Sequence, residues 1–352
     1  MKAPSPDAEA LIERRGRAGV IVLNRPKALN ALTLTMVRLI AAALDEWDED
    51  EAVDRIVLIG AGERAFCAGG DIRRLYDLGR TGDHDAQLTF WREEYQLDRR
   101  IKTYPKPIVA LVDGIVMGGG VGLAMHAAHT VTGERFIFAM PEVGIGFFPD
   151  VGAAWFLPRL PFRAGVYFAL TGLRAEAGEA VALGLADAFV PSVAFPALAQ
   201  ALESDEPVKT TLARFAAPPP RSCLTGEAEA MEACFSGRDR TAILEALREA
   251  ETQGRAFAAP ARAAMLEKSP TSQAIALRQM ALGATIDFDE ALRMDYRIVS
   301  RICRGHDFYE GVRAVIIDKD NRPRWSSLPS RAEVDAYFAP VDDDLEFPAL
   351  DA

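Results

Sequence analysis

The chain has 352 residues, 49% of them hydrophobic and 26% charged, a balance typical of a globular protein with a large core. The formal net charge of -11 argues against nucleic acid as a partner. The sequence has no apolar run of about 18 residues and no secretory signal, so we expect no association with a membrane. Four widely spaced cysteines without a CxxC or Cys/His cluster predict reduced thiols, no metal site and a cytoplasmic protein.

The first elements alternate between strands and helices. The segments "ALIERR" and "GVIVLNRP" predict two strands, and a helix follows with Thr33 as its N-cap and an apolar stripe from Met36 to Trp47. The segment "DRIVLIGAG" predicts a buried strand, and "AFCAGGDI" predicts a tight glycine turn directly after it. A second helix is predicted over roughly residues 86–103.

The next segments repeat this order. We predict one strand in "PIVALVDGIVMGGG", a helix in "VGLAMHAAH", a pair of strands in "TVTGERFIFAM" and a helix in "GAAWFLPRL". Such an order favours an α/β fold with ligand sites at the turns from strand to helix. The proline-rich segment 216–222 is the best linker candidate, so we predict a core over residues 1–215 and a mostly helical region over 216–352.

Two glycine-rich turns are the first candidate site. "CAGGD" (67–71) and "MGGGVG" (117–122) each follow an apolar strand. Glycine permits positive φ angles and close approach of the backbone, so two such turns could direct two N–H groups at one oxygen, which is an oxyanion hole. The alternative is that the glycines only form sharp turns. Neither turn matches a nucleotide-phosphate motif, and Cys67 has no histidine motif that would activate it as a nucleophile.

Two carboxylates in "MPEVGIGFFPDVG" (140–152) are the second candidate site. The apolar neighbours of Glu142 and Asp150 should remove water from these acids and raise their pKa toward the range of a general base. For Asp150 we expect a helix start and hydrogen bonds to outweigh burial and keep it ionised. Glu94 lies on the apolar face of the helix predicted over 86–103. The alternatives are turn acids at the surface and, for Glu94, a snorkelling or paired acid at the edge of that face.

Four segments together resemble one known family. "NRPKALNALT", "AFCAGGDI", "DGIVMGGGVGLAMHA" and "MPEVGIGFFPDVGAAWFLPRL" are similar, in content and order, to the crotonase, or enoyl-CoA hydratase/isomerase, superfamily over about residues 8–195. The resemblance implies a crotonase-like spiral of strand–strand–helix units with a helical C-terminal region, and acyl-CoA substrates. It further implies Gly70 and Gly119 as backbone oxyanion donors and Glu142 and Asp150 as active-site acids.

The resemblance extends further toward a thioester-hydrolase branch of that superfamily. "WREEYQL" and the segment 301–325, "RICRGHDFYEGVRAVIIDKDNRPRW", carry it over nearly the whole chain and imply hydrolysis of a 3-hydroxyacyl-CoA in valine breakdown. Gly122 stands where hydratases have the first of two glutamates that hold a water molecule, which disfavours hydration. A hydratase or isomerase, another acyl-CoA hydrolase and a non-catalytic acyl-CoA-binding protein remain as alternatives.

The family also implies where the substrate binds. Coenzyme A would be part of the substrate, and no separate cofactor or metal is implied. Its phosphates would lie near Arg25, Lys27 and the helix start at Gly70–Arg73, where N–H groups favour anions. The basic residues could equally be ordinary surface charges. Whether Glu142 is a nucleophile or a general base stays open, as does the formation of a homo-oligomer. The substrate contacts that the resemblance implies are Arg25, Lys27, Ala68, Asp71, Ile72 and Glu94.

Overall fold

The computed structural model describes residues 8–348, which fall into two compact units built from alternating segments of the chain. The predicted boundary between residues 215 and 216 stays a prediction. Within the described residues, the first unit comprises 8–71, Gln96–Phe138 and Ala175–Ser222, and the second comprises Ile72–Tyr95, Ala139–Arg174 and 223–348.

The first unit contains a six-stranded sheet in the order β1-β2-β3-β5-β7-β10. The first two strands are antiparallel, and the others run parallel. Runs of Val, Ile and Leu suit parallel strands that are buried on both faces. The α/β prediction is therefore confirmed. The strands are β1 (Ala10–Arg15), β2 (Ala18–Leu23), β3 (Arg55–Gly60), β5 (Ile108–Val112), β7 (His129–Thr132) and β10 (Ala188–Phe189).

A second sheet has the order β4-β6-β8-β9, formed by β4 (Ala65–Cys67), β6 (Ile115–Met117), β8 (Ile137–Ala139) and β9 (Ala175–Glu176). The prediction of one strand in "PIVALVDGIVMGGG" is wrong, because this segment contains both β5 and β6, which belong to different sheets. The chain crosses over at Gly114, where a Cβ atom would lie 2.9 Å from the nitrogen of Ala65. The strand pair in "TVTGERFIFAM" is present, but β7 and β8 likewise lie in different sheets.

Helices cover the first unit's main sheet. The predicted N-cap is confirmed, since the hydroxyl of Thr33 accepts a hydrogen bond from the Met36 N–H at 3.1 Å. Leu198 and Leu212, on two of these helices, belong to the same buried hydrophobic cluster as Val57 of the sheet. The helices are α1 (Leu34–Asp48), α4 (Gly119–Met125), α7 (Ala177–Leu183), α8 (Phe195–Ala201) and α9 (Val208–Phe215), while α3 (His84–Lys102) contributes to both units.

The second unit consists mainly of helices, which confirms the helical character predicted after residue 216. The helix predicted in "GAAWFLPRL" has only four α-helical residues and continues as a 3₁₀ turn. None of the helices within residues 8–348 is long and apolar enough to cross a membrane. The helices of this unit are α2 (Ile72–Arg80), α5 (Ala153–Phe156), α6 (Ala164–Thr171), α10 (Ala228–Phe235), α11 (Arg240–Thr252), α12 (Ala258–Glu267), α13 (Pro270–Gly283), α14 (Phe288–Ile302), α15 (His306–Val312) and α16 (Arg331–Ala336).

Candidate active site

The two glycine turns lie side by side in the first unit because β4 and β6 are parallel neighbours. Gly69 has φ 106, and Gly118 has φ 48 and ψ -128, conformations that favour glycine. A Cβ atom on Gly69 would lie 3.8 Å from the nitrogen of Gly119. The backbones of the two turns are therefore close enough to serve one ligand atom.

The predicted donors, Gly70 and Gly119, have N–H groups outside the regular hydrogen-bonding pattern. Leu32 bridges to Gly70 by donating to the Gly69 carbonyl and accepting from the Asp71 N–H, both at 2.8 Å. In a parallel bridge of this kind the N–H of Gly70 itself points away from Leu32. Gly119 is the first residue of α4, so its N–H has no acceptor one turn earlier in the helix.

Gly122, in the same helix, has no space for a side chain. A Cβ atom there would lie 2.3 Å from Oδ1 of Asp98, a fully buried acid on α3. A glutamate side chain at position 122 would collide with that carboxylate. Sequence reasoning missed Asp98, although it lies one helical turn after Glu94 on the same apolar face of α3, and this spacing was the available signal.

The implied contacts for coenzyme A are only partly brought together. Arg25 donates to Oδ2 of Asp71 at 3.1 Å and to a backbone carbonyl at 2.6 Å, so its charge already has acidic and carbonyl partners within the first unit. Lys27 is exposed, whereas the Ala68 N–H donates to a backbone carbonyl at 3.0 Å. Ile72 begins α2 in the second unit and is half-buried.

The three predicted acids are all buried in the second unit: Glu94 is 3% exposed, Glu142 6% and Asp150 4%. The surface-turn alternative is therefore wrong for Glu142 and Asp150. The Tyr95 hydroxyl donates to Oδ2 of Asp150 at 2.8 Å. Among the described residues, Oε1 of Glu94 and Oε2 of Glu142 have no hydrogen-bond partner. Two carboxylate oxygens thus remain available to a substrate or water.

Burial dominates the electrostatics of these acids. It raises the pKa of Glu142 and of Glu94 well above the ordinary value, and the nearby Asp150 charge raises both further. Burial also raises the pKa of Asp150 to about 7, against the opposing effect of the Tyr95 hydrogen bond. The expectation for Glu142 is confirmed. The expectation that Asp150 stays fully ionised is wrong, because α5 has only four residues and supplies little dipole to offset burial.

An aromatic cluster includes two residues of the segment between Glu142 and Asp150. The ring of Phe147 stacks on Trp91 with centroids 5.5 Å apart and lies 4.7 Å from the ring of Phe148. Phe308, on α15, packs against Phe147 at 5.7 Å. Phe147 and Phe148 are thus packed in an apolar cluster, and the acids at both ends of their segment are buried, as predicted.

Three polar residues near Asp150 were missed by sequence reasoning: Tyr95, Gln279 and Asp295. Gln279 donates to Oδ1 of Asp295 at 2.7 Å and to the Pro149 carbonyl at 2.8 Å, and Oδ2 of Asp295 accepts from the Gly152 N–H at 2.8 Å. Asp295 lies in the apolar stripe of α14, the same signal that identified Glu94. Within residues 8–348 no group of three or more His, Cys, Asp or Glu side chains could hold a metal ion.

The chain is similar to known proteins over most of its length. The family described as enoyl-CoA hydratase/isomerase matches residues 18–338, and the chain belongs to that family. A curated protein of Danio rerio, named 3-hydroxyisobutyryl-CoA hydrolase, mitochondrial, is 43% identical over 97% of this chain and 92% of the relative. A human protein of the same name is 42% identical over 90% of this chain and 84% of the relative.

Solved structures confirm the fold predicted from the resemblance. An enoyl-CoA hydratase from Rhodobacter sphaeroides 2.4.1 superimposes with a TM-score of 0.90 at 41% identity, covering 97% of this chain and 100% of that one. A carnitinyl-CoA dehydratase from Mycobacterium thermoresistibile gives a TM-score of 0.91 at 38% identity, covering 97% of this chain and 99% of that one.

The comparisons also correct one prediction, the cytoplasmic location. The curated relatives from zebrafish, frog, rat and human are all named as mitochondrial proteins. These names contradict the prediction of a cytoplasmic protein, which is wrong. The prediction relied on cysteine usage, which cannot distinguish the two compartments because both leave thiols reduced.

Proposed function

We propose that this chain is an acyl-CoA thioester hydrolase that converts 3-hydroxyisobutyryl-CoA and water into 3-hydroxyisobutyrate and coenzyme A, a step of valine breakdown. The names of the curated relatives support this substrate. The observation that carries the proposal is the buried pair of acids, Glu142 and Asp150, whose pKa values are both raised. Coenzyme A enters only as part of the substrate, and the reaction needs no other cofactor.

In the proposed reaction the thioester carbonyl oxygen accepts hydrogen bonds from the backbone N–H groups of Gly70 and Gly119. These donors stabilise the negative charge that develops on this oxygen, at about 3–4 kcal/mol for one donor. An oxygen nucleophile adds to the carbonyl carbon, the C–S bond breaks, and the coenzyme A thiolate leaves. A thiolate is a good leaving group, so the sulfur needs little help from an acid.

Glu142 has two candidate roles in this scheme. It either attacks the carbonyl carbon itself, forming a mixed anhydride that water then hydrolyses, or it removes a proton from the attacking water. Asp150 orients that water or the 3-hydroxyl of the substrate and exchanges a proton with it. A pKa of about 7 supports this role, because Asp150 then has both protonation states available at neutral pH.

Hydration of an enoyl-CoA is the second candidate, because a similar solved structure is described as an enoyl-CoA hydratase. Gly122 and Asp98 argue against it. The position that supplies the first water-holding glutamate of hydratases has no side chain here, and the Asp98 carboxylate occupies the space beside it.

Thiol release from a panel of acyl-CoA esters tests the proposal. We expect free coenzyme A from 3-hydroxyisobutyryl-CoA at a rate that exceeds the rate for straight-chain esters without a 3-hydroxyl. Purified Glu142→Gln protein serves as the control for contaminating thioesterases. Loss of crotonyl-CoA without thiol release would identify a hydratase instead, and binding of the esters without any turnover would identify a non-catalytic binding protein.

A further inference from the structure

The segment that carries Asp150, Pro149–Gly152, has an unfavourable backbone conformation. Val151 has φ 53 and Gly152 has φ 74, both in the left-handed region. A β-branched residue rarely adopts such a conformation, and it persists only where its surroundings impose it. The aspartate thus sits directly before a strained residue whose geometry must be held by contacts from outside the segment.

Two buried side chains of the second unit supply those contacts at both ends of the segment. Gln279, on α13, donates one hydrogen bond to the Pro149 carbonyl at 2.8 Å. Asp295, on α14, accepts the Gly152 N–H at 2.8 Å. The two side chains also bond to each other at 2.7 Å, and each is 0% exposed. They form a clamp on the backbone immediately before and after Asp150 and Val151.

The hydrogen-bonding partners of Gln279 fix the orientation of its side-chain amide. Both hydrogen bonds from Gln279 start from Nε2, and reversing the amide would set Oε1 against the carbonyl of Pro149 and the carboxylate of Asp295. Each carboxylate oxygen of Asp295 in turn accepts a hydrogen bond from an N–H group, of Gln279 on Oδ1 and of Gly152 on Oδ2. Removal of either side chain would leave buried polar backbone atoms of the turn without their partner, which is unfavourable.

We propose that Gln279 and Asp295 are positioning residues for the reaction of this site: they hold Pro149–Gly152 in its strained turn and thereby keep the Asp150 carboxylate on the Tyr95 hydroxyl. The proposal rests on the proposed function. Neither residue is a catalytic residue. A purely structural role is poorly served by a buried carboxylate, because apolar side chains of similar volume often stabilise such a position as well or better.

The test compares two glutamines of the same helix. Gln273 also lies on α13, is also buried, and donates to the carbonyls of Leu170 and Met265, but not to the turn. Gln279→Met and Gln273→Met therefore make the same chemical change in the same helix, although the second also removes the acceptor of a 2.6 Å hydrogen bond from Arg240. Thermal unfolding of both variants measures the loss of stability that each change causes. We expect kcat for thiol release to fall roughly 10- to 100-fold in Gln279→Met alone, with KM within about threefold of the parent, because misplacement of a catalytic group lowers kcat.

A second measurement does not depend on activity. Amide hydrogen exchange at Gly152 should accelerate at least about tenfold in Gln279→Met and in Asp295→Asn, and stay unchanged in Gln273→Met. If Asp295→Asn does not fold, the two glutamine variants carry the test.

Unchanged exchange at Gly152 in Gln279→Met would overturn the clamp, and equal losses of kcat in the two glutamine variants would overturn its positioning role. A parent protein that releases no thiol from any ester, yet shows faster Gly152 exchange in Gln279→Met, would refute the proposed function and the positioning role while leaving the clamp itself established.

Discussion

At the scale of single residues, Glu142 allows the most specific prediction, that its carboxylate is needed for turnover but not for binding. Its Oε2 has no hydrogen-bond partner among the described residues, and burial raises its pKa. Glu142→Gln keeps the shape of the side chain and removes both its basicity and its nucleophilicity. We expect thiol release to be nearly abolished while acyl-CoA binding, measured by calorimetry, persists within about threefold.

The control for this substitution is Glu229→Gln, which makes the same change at an exposed residue of α10. It should leave both turnover and binding unchanged. A Glu142→Gln protein that retains most of its rate would remove Glu142 from the mechanism. One that loses binding as well as turnover would show that the carboxylate is needed to bind the acyl-CoA.

Sequence reasoning found some residues of the second unit's acid site and missed others for a physical reason. Glu142 and Asp150 stand in one short apolar segment, so their burial could be predicted from their neighbours. Gln279 and Asp295 act on that segment from 130 and 143 residues away in the chain. No local pattern encodes contacts of such range, and only the buried position of Asp295 in an apolar stripe hinted at a role.

At the scale of elements, the glycine turn at the start of α4 allows a clean test of one oxyanion donor. Gly119 is the first residue of this helix, a position where proline is well tolerated. Gly119→Pro removes the N–H group, whereas Gly119→Ala adds a Cβ atom and keeps the N–H group. We expect the proline variant to lose at least about 100-fold in kcat relative to the alanine variant.

The pair of variants matters because each adds a side chain to the same turn, so their difference isolates the donor. Circular dichroism and thermal unfolding should show both proteins folded. Equal thiol-release rates in the two variants would mean that the N–H of Gly119 does not stabilise the transition state, even if both were slower than the parent.

Local patterns predicted the elements better than their connections. The N-cap at Thr33 and the start of α3 within two residues of the prediction follow from side-chain chemistry and periodicity that act over a few residues. The break between β5 and β6 was missed because both strands are apolar and only Asp113–Gly114 separates them. Periodicity alone cannot show that one apolar run enters two sheets, since the close approach to Ala65 that requires Gly114 is not local.

At the scale of the whole molecule, buried acids make the free energy of unfolding depend on pH in an unusual direction. Burial raises the pKa of Glu94, Glu142, Asp150 and Asp295. An acid whose pKa is higher in the folded state binds more protons there than in the unfolded chain. Its contribution therefore favours folding at low pH and is lost as the pH rises from the unfolded to the folded pKa.

Asp150 provides the test of this effect, because its pKa rises from 3.8 to about 7. Three pKa units correspond to about 4 kcal/mol, so ionised Asp150 should cost the folded protein a few kcal/mol at pH 8 and almost nothing at pH 3. Asp150→Asn should accordingly be more stable than the parent at pH 8, by an amount that shrinks as the pH falls toward 4, while thiol release is lost. Denaturant unfolding of both proteins between pH 4 and pH 8 measures it, with Asp205→Asn, at a highly exposed aspartate, as the control. A parent that is the more stable protein at pH 8 would show that the Tyr95 hydrogen bond, rather than burial, decides the ionisation of Asp150.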